Sequence, residues 1–134
     1  MDQVGQGLVI QLDAEDPELR RRAALALGQL NAESSVDALN AKLADASNQV
    51  RFSTAAALAS MGQKTGIDFL FDAIRDPDPI LRTNAVKFLT EVQKSSGAVE
   101  SQLLAALKSG DALARAGAAQ VLGQARVKSA AAAL

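Results

Sequence analysis

The sequence predicts an all-α superhelix, a solenoid of about four helical hairpins followed by a short C-terminal helix. Three observations predict it: one helical segment recurs four times, each copy follows another apolar helix, and polar turn residues separate the copies. The recurring segments are DPELRRRAALALGQL (16–30), SNQVRFSTAAALASM (47–61), DPILRTNAVKFLTEV (78–92) and DALARAGAAQVLGQA (111–125). They start 31, 31 and 33 residues apart.

The first helix of each hairpin is predicted from apolar residues spaced four apart. The pairs are Leu8 with Leu12, Leu39 with Leu43, Leu70 with Ile74, and Leu103 with Leu107. Residues four apart share one helix face, so each pair gives an apolar stripe that another helix can cover. The predicted hairpins span approximately 2–30, 33–62, 65–93 and 98–125, within a single repeat domain 1–134.

The second helix of each hairpin begins at a capping residue. The candidate N-caps are Asp16, Ser47, Asp78 and Asp111, each four residues before an arginine: Arg20, Arg51, Arg82 and Arg115. Short oxygen-bearing side chains accept hydrogen bonds from the free N–H groups of a helix start. Pro17 and Pro79 follow at the first helical position, where a missing N–H costs nothing.

One face of each second helix is predicted to be the core. Its members are Leu19, Ala23, Ala26, Leu27 and Leu30; then Val50, Thr54, Ala57, Leu58 and Met61; then Leu81, Ala85, Phe88, Leu89 and Val92; and last Ala114, Ala118, Val121, Leu122 and Ala125. A neighbouring column is mostly small, with Gly28, Ala59, Thr90 and Gly123, which favours close approach of the next repeat. The stretches NAESS, GQKTG and QKSSG are predicted loops, and the two extra residues of the last spacing are placed in QKSSG.

Composition excludes most catalytic and metal sites. The chain has no Cys, His, Trp or Tyr and only four Phe, so thiolate, imidazole and disulfide chemistry are ruled out. We therefore expect no enzyme, no metal and no cofactor. A net charge of −1 argues against a nucleic-acid partner. The sequence also lacks a signal peptide and a stretch of about 18 apolar residues, so we expect a cytoplasmic protein without a membrane role.

The pattern DP-x-LR-x-x-AA-x-AL-G resembles the HEAT repeat, in the short bacterial form known as the phycobilisome-lyase-type HEAT-like repeat. The resemblance covers nearly the whole chain. It implies stacked helix pairs whose second helices line a concave face, and an Asp–Arg ladder between repeats. The ladder aspartate falls at Ala14, Asp45, Asp76 and Ser109, so the resemblance implies a ladder in the middle repeats only.

Known branches of this family differ in activity. Deoxyhypusine hydroxylases hold di-iron with His-Glu pairs, and a chain without His does not inherit that activity. HEAT-like alkylation-repair glycosylases bind DNA with basic and aromatic side chains, and this chain lacks both the excess of positive charge and the aromatic residues for such binding. Phycobilin lyases and related chaperone-like subunits share the repeat type, although a tetrapyrrole favours more aromatic walls than four Phe provide.

The candidate binding residues lie on the second helices, opposite the core. We call this set the second-helix stripe: Arg21, Arg22, Leu25, Phe52, Thr83, Lys87 and Gln120. Arg and aromatic residues carry much of the energy of protein interfaces, so an exposed Phe beside an arginine pair favours a protein contact. A mildly basic, solvated face is the alternative interpretation.

The leading functional hypothesis is a non-catalytic protein-binding scaffold or adaptor that uses the concave face. The alternative is an accessory or chaperone-like subunit of a phycobilin lyase. The end of the chain, 127–134, is predicted to start a fifth repeat, with Leu134 in the column of Leu8 and Leu39. We expect this apolar edge to associate with another copy or with further repeats, because the last repeat of a solenoid lacks a covering neighbour.

Overall fold

The structure, a computed structural model, describes residues 3–126. Within that range the chain forms eight α-helices, one short 3₁₀ turn (Glu33–Ser35) and no strand, which confirms the all-α repeat prediction. The helices are α1 (Gln3–Gln11), α2 (Pro17–Gln29), α3 (Val36–Lys42), α4 (Asn48–Ser60), α5 (Lys64–Ala73), α6 (Pro79–Ser96), α7 (Glu100–Ala106) and α8 (Ala112–Gln124).

The chain divides into two compact units. The N-terminal unit extends to Ile67 and the C-terminal unit starts at Asp68, so the division falls inside α5. In the N-terminal unit α1 packs on α2, α3 packs on α4, and α2 packs on α4. In the C-terminal unit α6 and α7 both pack on α8. Each second helix is therefore in contact with a helix of a neighbouring repeat in the same unit.

The predicted N-caps all cap their helices. The side chains accept backbone hydrogen bonds as follows: Asp16 from Glu18, Ser47 from Val50, Asp78 from Ile80, and Asp111 from Leu113 and Ala114. Pro17 and Pro79 occupy the first helical position. The start of each second helix is thus determined by local chemistry, since each cap satisfies backbone N–H groups that have no partner within the helix.

The recurring arginine ties each second helix to the turn before it. Its Nη1 donates to the carbonyl oxygen six residues earlier in every copy: Arg20 to Ala14, Arg51 to Asp45, Arg82 to Asp76 and Arg115 to Ser109. Arg20 and Arg82 also bond the next carbonyl along. A charged donor gives a stronger bond than a neutral one, so this contact fixes the tight link between the two helices of a hairpin.

The residue that supplies this carbonyl also closes the turn with its side chain. Asp45 accepts from the N–H of Ser47, and Asp76 and Ser109 make the equivalent bonds two residues ahead. Asp45 has a further role as the ladder residue. It accepts from both Nε and Nη2 of Arg20, at 2.9 and 3.1 Å, and both side chains are largely buried. The ladder that the resemblance implies is therefore present between the first and second repeats.

The core follows the predicted columns. Leu27, Leu58, Leu89 and Leu122, one from each second helix, are fully buried. Of the first-helix pairs, Leu12, Leu39, Leu70, Ile74 and Leu103 are buried, and Leu8, Leu43 and Leu107 are half-buried.

Two predicted core positions in the first repeat are wrong. Leu19 and Leu30 are 42% and 54% exposed. Leu19 lies in the first turn of α2 and Leu30 directly follows its last residue, and α2 packs against α1 and α4. Those two helices cover the middle of its stripe, where Ala23 and Leu27 are fully buried.

The small column has a steric cause in the N-terminal unit. A Cβ added to Gly28 would lie 2.7 Å from both Cα and Cβ of Ala57. That separation is closer than packed carbon atoms tolerate, so α2 and α4 can meet only because Gly28 has no side chain. At the equivalent Gly123 an added Cβ would meet nothing within 4 Å.

The second helix of the third hairpin, α6, is longer than predicted. QKSSG was expected to be a loop, but α6 continues through Ser96 and ends at Gly97, whose φ of 66° is left-handed. Neither Gly nor Pro interrupts the segment before Gly97, so the helix runs to the first residue that favours this conformation. The two extra residues of the last spacing therefore contribute to the longer helix. The predicted short C-terminal helix and partial fifth repeat, 127–134, lie outside the described residues.

Gly28→Ala and Gly123→Ala form a matched pair that tests the helix contact. Alanine raises helix propensity by about 1 kcal/mol at either position. We expect Gly123→Ala to stabilise the protein by up to that amount, whereas Gly28→Ala should destabilise it because the added methyl meets the backbone of Ala57. Urea unfolding followed by circular dichroism measures both. Equal shifts in the two variants would contradict the close contact.

Asp45→Asn tests the buried ion pair. Burial raises the pKa of Asp45, but hydrogen bonds from Arg20 and the Ser47 N–H together lower it by more than burial raises it. The resulting pKa lies below the ordinary value of 3.8. Such a group stabilises the fold above its unfolded pKa, and that contribution is lost as the pH falls through the folded pKa. We expect Asp45→Asn to cost about 2 kcal/mol at pH 7, since bonds to charged groups are at stake.

The cost of Asp45→Asn should shrink as the pH falls below about 4, where the wild-type carboxyl is protonated first in the unfolded chain and then, at lower pH, in the folded protein. Asp13→Asn is the control, because Asp13 pairs with Lys42 while 80% exposed. Exposed pairs contribute about 0–1 kcal/mol. If both variants lose the same free energy of unfolding, the buried Asp45 pair contributes no more than an exposed pair does.

Candidate protein-binding surface

The N-terminal unit holds four members of the second-helix stripe. Arg22 is exposed, and Arg21 and Leu25 are half-buried, all on α2. Phe52, on α4, is only 2% exposed, so the expectation of an exposed aromatic residue is wrong. The helical wheel misplaced it because the whole run 52–59 is buried, whereas an amphipathic surface helix buries one face.

Glu18 pairs with both arginines of the stripe. Its carboxylate accepts from Nε of Arg21 at 2.8 Å and from Nε of Arg22 at 3.0 Å, and it also accepts from Nη2 of Arg21. Sequence reasoning overlooked this residue, although its spacing of three and four from the arginines indicates such pairs on a helix. The basic pair is therefore a three-residue charge cluster with a net charge of about +1.

The charge cluster shifts the titration of its carboxylate. Chiefly through the hydrogen bond from Arg21, with a smaller contribution from Arg22, the pKa of Glu18 falls from 4.5 to about 2. The same contact raises the pKa of Arg21. The Glu18 carboxylate thus stays ionised at pH values well below neutral, so the cluster keeps its three charges in that range.

The C-terminal unit holds the other three members. Thr83 and Lys87 are exposed on α6, and Gln120 is exposed on α8. The Thr83 hydroxyl donates to the carbonyl of Pro79, and Nζ of Lys87 lies 5.4 Å from the centre of the Phe88 ring.

A cleft between α6 and α8 brings Thr83 and Gln120 together. Its volume is about 170 Å³. The lining residues are Ile74, Pro79, Arg82, Thr83, Val86, Leu113, Ala116, Gly117 and Gln120. Small-molecule sites usually measure about 300–1,000 Å³, so this cleft suits one or two side chains of a larger partner.

Small residues on α8 open the cleft. Ala116 is the counterpart of Arg21, Phe52 and Thr83, and Gly117 is the counterpart of Arg22, Ser53 and Asn84. Both columns therefore carry their smallest member in the fourth repeat. A Cβ on Gly117 would already lie 3.2 Å from Cβ of Ile74, so even alanine would narrow the floor.

Metal binding and membrane spanning are the other functions that the described residues bear on. Among residues 3–126, no three Asp or Glu side chains gather in a group that could hold a metal ion. In the same range, no helix is long and apolar enough to cross a bilayer.

Comparison with known proteins decides the family. The sequence profile of the HEAT repeats matches residues 5–90 and 67–134. The chain belongs to the HEAT-repeat family. No curated protein matches this HEAT-repeat chain significantly.

Solved structures share its fold. One is the complex of CpcE and CpcF of phycocyanin lyase from Nostoc sp. PCC7120, with a TM-score of 0.55 and 23% identity over 97% of this chain. Another is an engineered protein, with a TM-score of 0.50 and 21% identity over 93% of this chain. The HEAT-repeat chain spans 56% and 63% of the length of these neighbours. At these identities the likeness establishes the fold, including the helical-repeat architecture predicted from the sequence.

Proposed function

We propose that this HEAT-repeat chain is a non-catalytic adaptor that binds another protein through the exposed faces of its second helices. The observation that carries the proposal is the cleft between α6 and α8, where Thr83 and Gln120 of the second-helix stripe lie together beside exposed apolar residues. In the N-terminal unit the charge cluster on α2 offers a second, polar contact region.

Chemistry supports a binding role over a catalytic one. The chain has no His, Cys or Tyr, and the cleft contains Arg82 as its single ionisable side chain. General acid–base and nucleophilic catalysis usually place a base beside the reacting group, a combination that these lining residues do not offer. A location in the cytoplasm and association through the C-terminal edge stay predictions from the sequence.

The adaptor proposal predicts that single exposed cations control partner capture. Arg22→Ala and Lys87→Ala, each on its own, should lower the recovery of a specific partner from a lysate of the source cells. The purified partner should then bind at least one of these variants about tenfold more weakly in calorimetry, which corresponds to an interface residue of about 1.4 kcal/mol. Melting temperatures should change little, because both side chains are exposed.

Arg75→Ala is the matched control for this experiment. Arg75 is an exposed arginine paired with an acidic residue three positions earlier, Asp72, as Arg21 is with Glu18, but it lies outside the second-helix stripe. Unchanged affinity in both test variants, or an equal loss with Arg75→Ala, would refute the assignment of binding to the stripe.

A role as an accessory subunit of a chromophore lyase is the second candidate. It is favoured by the fold likeness to the CpcE and CpcF complex of phycocyanin lyase. This role predicts that adding the protein to a free bilin changes the visible absorbance of the pigment, saturating at a fixed stoichiometry. Serum albumin at equal concentration controls for non-specific uptake. An unchanged spectrum, together with capture of a pigment-free partner, would favour the adaptor alone.

A further inference from the structure

The ladder arginine has different surroundings in the two units. In the N-terminal unit, Nη1 of Arg20 holds the turn, while Nε and Nη2 bind the carboxylate of Asp45 in the next repeat. In the C-terminal unit, Arg82 occupies the same column and its Nη1 makes the same turn bonds, to Asp76 and Pro77. In the repeat that follows Arg82, the residue that corresponds to Asp45 is Ser109, which has no carboxylate.

Among residues 3–126, the edge of the Arg82 guanidinium formed by Nε and Nη2 has no partner. Within that range its hydrogen bonds all run through Nη1, and Arg82 forms no ion pair. Its side chain is half-buried and lines the cleft. The carboxylates of Asp78 and Asp111, which cap α6 and α8, accept hydrogen bonds from the backbone of their own helix starts. A planar fork of two N–H donors in a partly dehydrated site binds carboxylates well.

One column of the second helices is apolar in the C-terminal unit and polar in the N-terminal unit. The second residue of each second helix is Glu18, Gln49, Ile80 or Leu113, so the column changes from polar to aliphatic in the C-terminal unit. Ile80 is 69% exposed and Leu113 is 39% exposed. Leu113 and Pro79 line the cleft above the floor made by Gly117.

We propose that this cleft binds a protein segment in which an acidic residue adjoins an aliphatic one. The acidic side chain binds Nε and Nη2 of Arg82, in the way that Asp45 binds Arg20. The aliphatic side chain enters the cleft against Leu113, Ala116 and Gly117. This assignment rests on the proposed protein-binding function and names the chemistry of its partner.

The probe is a hexapeptide with Glu-Leu between two Gly-Ser pairs, acetylated and amidated so that Glu carries its only carboxylate. Titration into the ¹⁵N-labelled full chain should shift the Nε–H signal of Arg82 and the backbone amide of Gly117 in a saturable way. The matched Gln-Leu peptide should bind at least tenfold more weakly. Equal shifts with both peptides, or no saturable shift with either, would overturn the proposal.

Ser109→Asp supplies the missing carboxylate within the chain. The new side chain retains the turn bond to the N–H of Asp111, as Asp45 and Asp76 do in their turns, and it can pair with Arg82. We expect a higher melting temperature than for the control Ser109→Asn, which retains the turn bond without the charge. Binding of the Glu-Leu peptide should fall at least tenfold in Ser109→Asp and stay near the wild-type value in Ser109→Asn.

Equal peptide affinity in these two variants would overturn the assignment of Arg82. That failure is separable from failure of the adaptor role, because Arg22→Ala and Lys87→Ala test residues outside the cleft lining. A partner that loses affinity in those variants but binds Ser109→Asp normally would use the second-helix stripe and not the Arg82 site.

Discussion

The bond from the recurring arginine to the carbonyl six residues earlier is the contact on which the repeat depends. Each hairpin must reverse direction within a few residues, and the carbonyl oxygens of that turn lie outside the hydrogen-bond ladder of either helix. A guanidinium satisfies one or two of them at once and anchors the second helix at its start. The N-cap of the second helix lies four residues before the arginine, so the cap and the arginine bond together fix the orientation of that helix. The leucine columns can then meet in the core.

Much of the fold could be predicted because its determinants are local or periodic. N-caps such as Asp78 and the buried Leu58 column follow from side-chain chemistry and helical spacing, and both are confirmed. The exposure of Leu19 and the burial of Phe52 depend on which helices lie beside them, which a helical wheel does not contain. The length of α6 depended on the position of one left-handed glycine, Gly97.

The candidate site was only partly accessible to sequence reasoning. The stripe includes Thr83 and Gln120, which both line the cleft, because the repeat alignment defines the columns in which they stand. The stripe does not predict the cleft, because the cleft arises where side chains are small, such as Ala116 and Gly117, whereas the stripe consists mainly of large or charged residues. The pairing of Glu18 does not follow from the repeat columns, because this contact runs along one helix and the columns compare different helices.

The arginine bond uses a main-chain oxygen, which every amino acid possesses. The position that provides it is Ala14, Asp45, Asp76 or Ser109, and the bond forms in all four cases. The four repeats of this chain therefore differ in negative charge at this position while all of them retain the anchor. One substitution at this position can therefore add or remove an ion pair between successive hairpins, as Asp45 forms with Arg20, and leave the turn itself unchanged. A repeat protein built in this way can become stiffer, or can leave an arginine free to bind a ligand, without a change of fold.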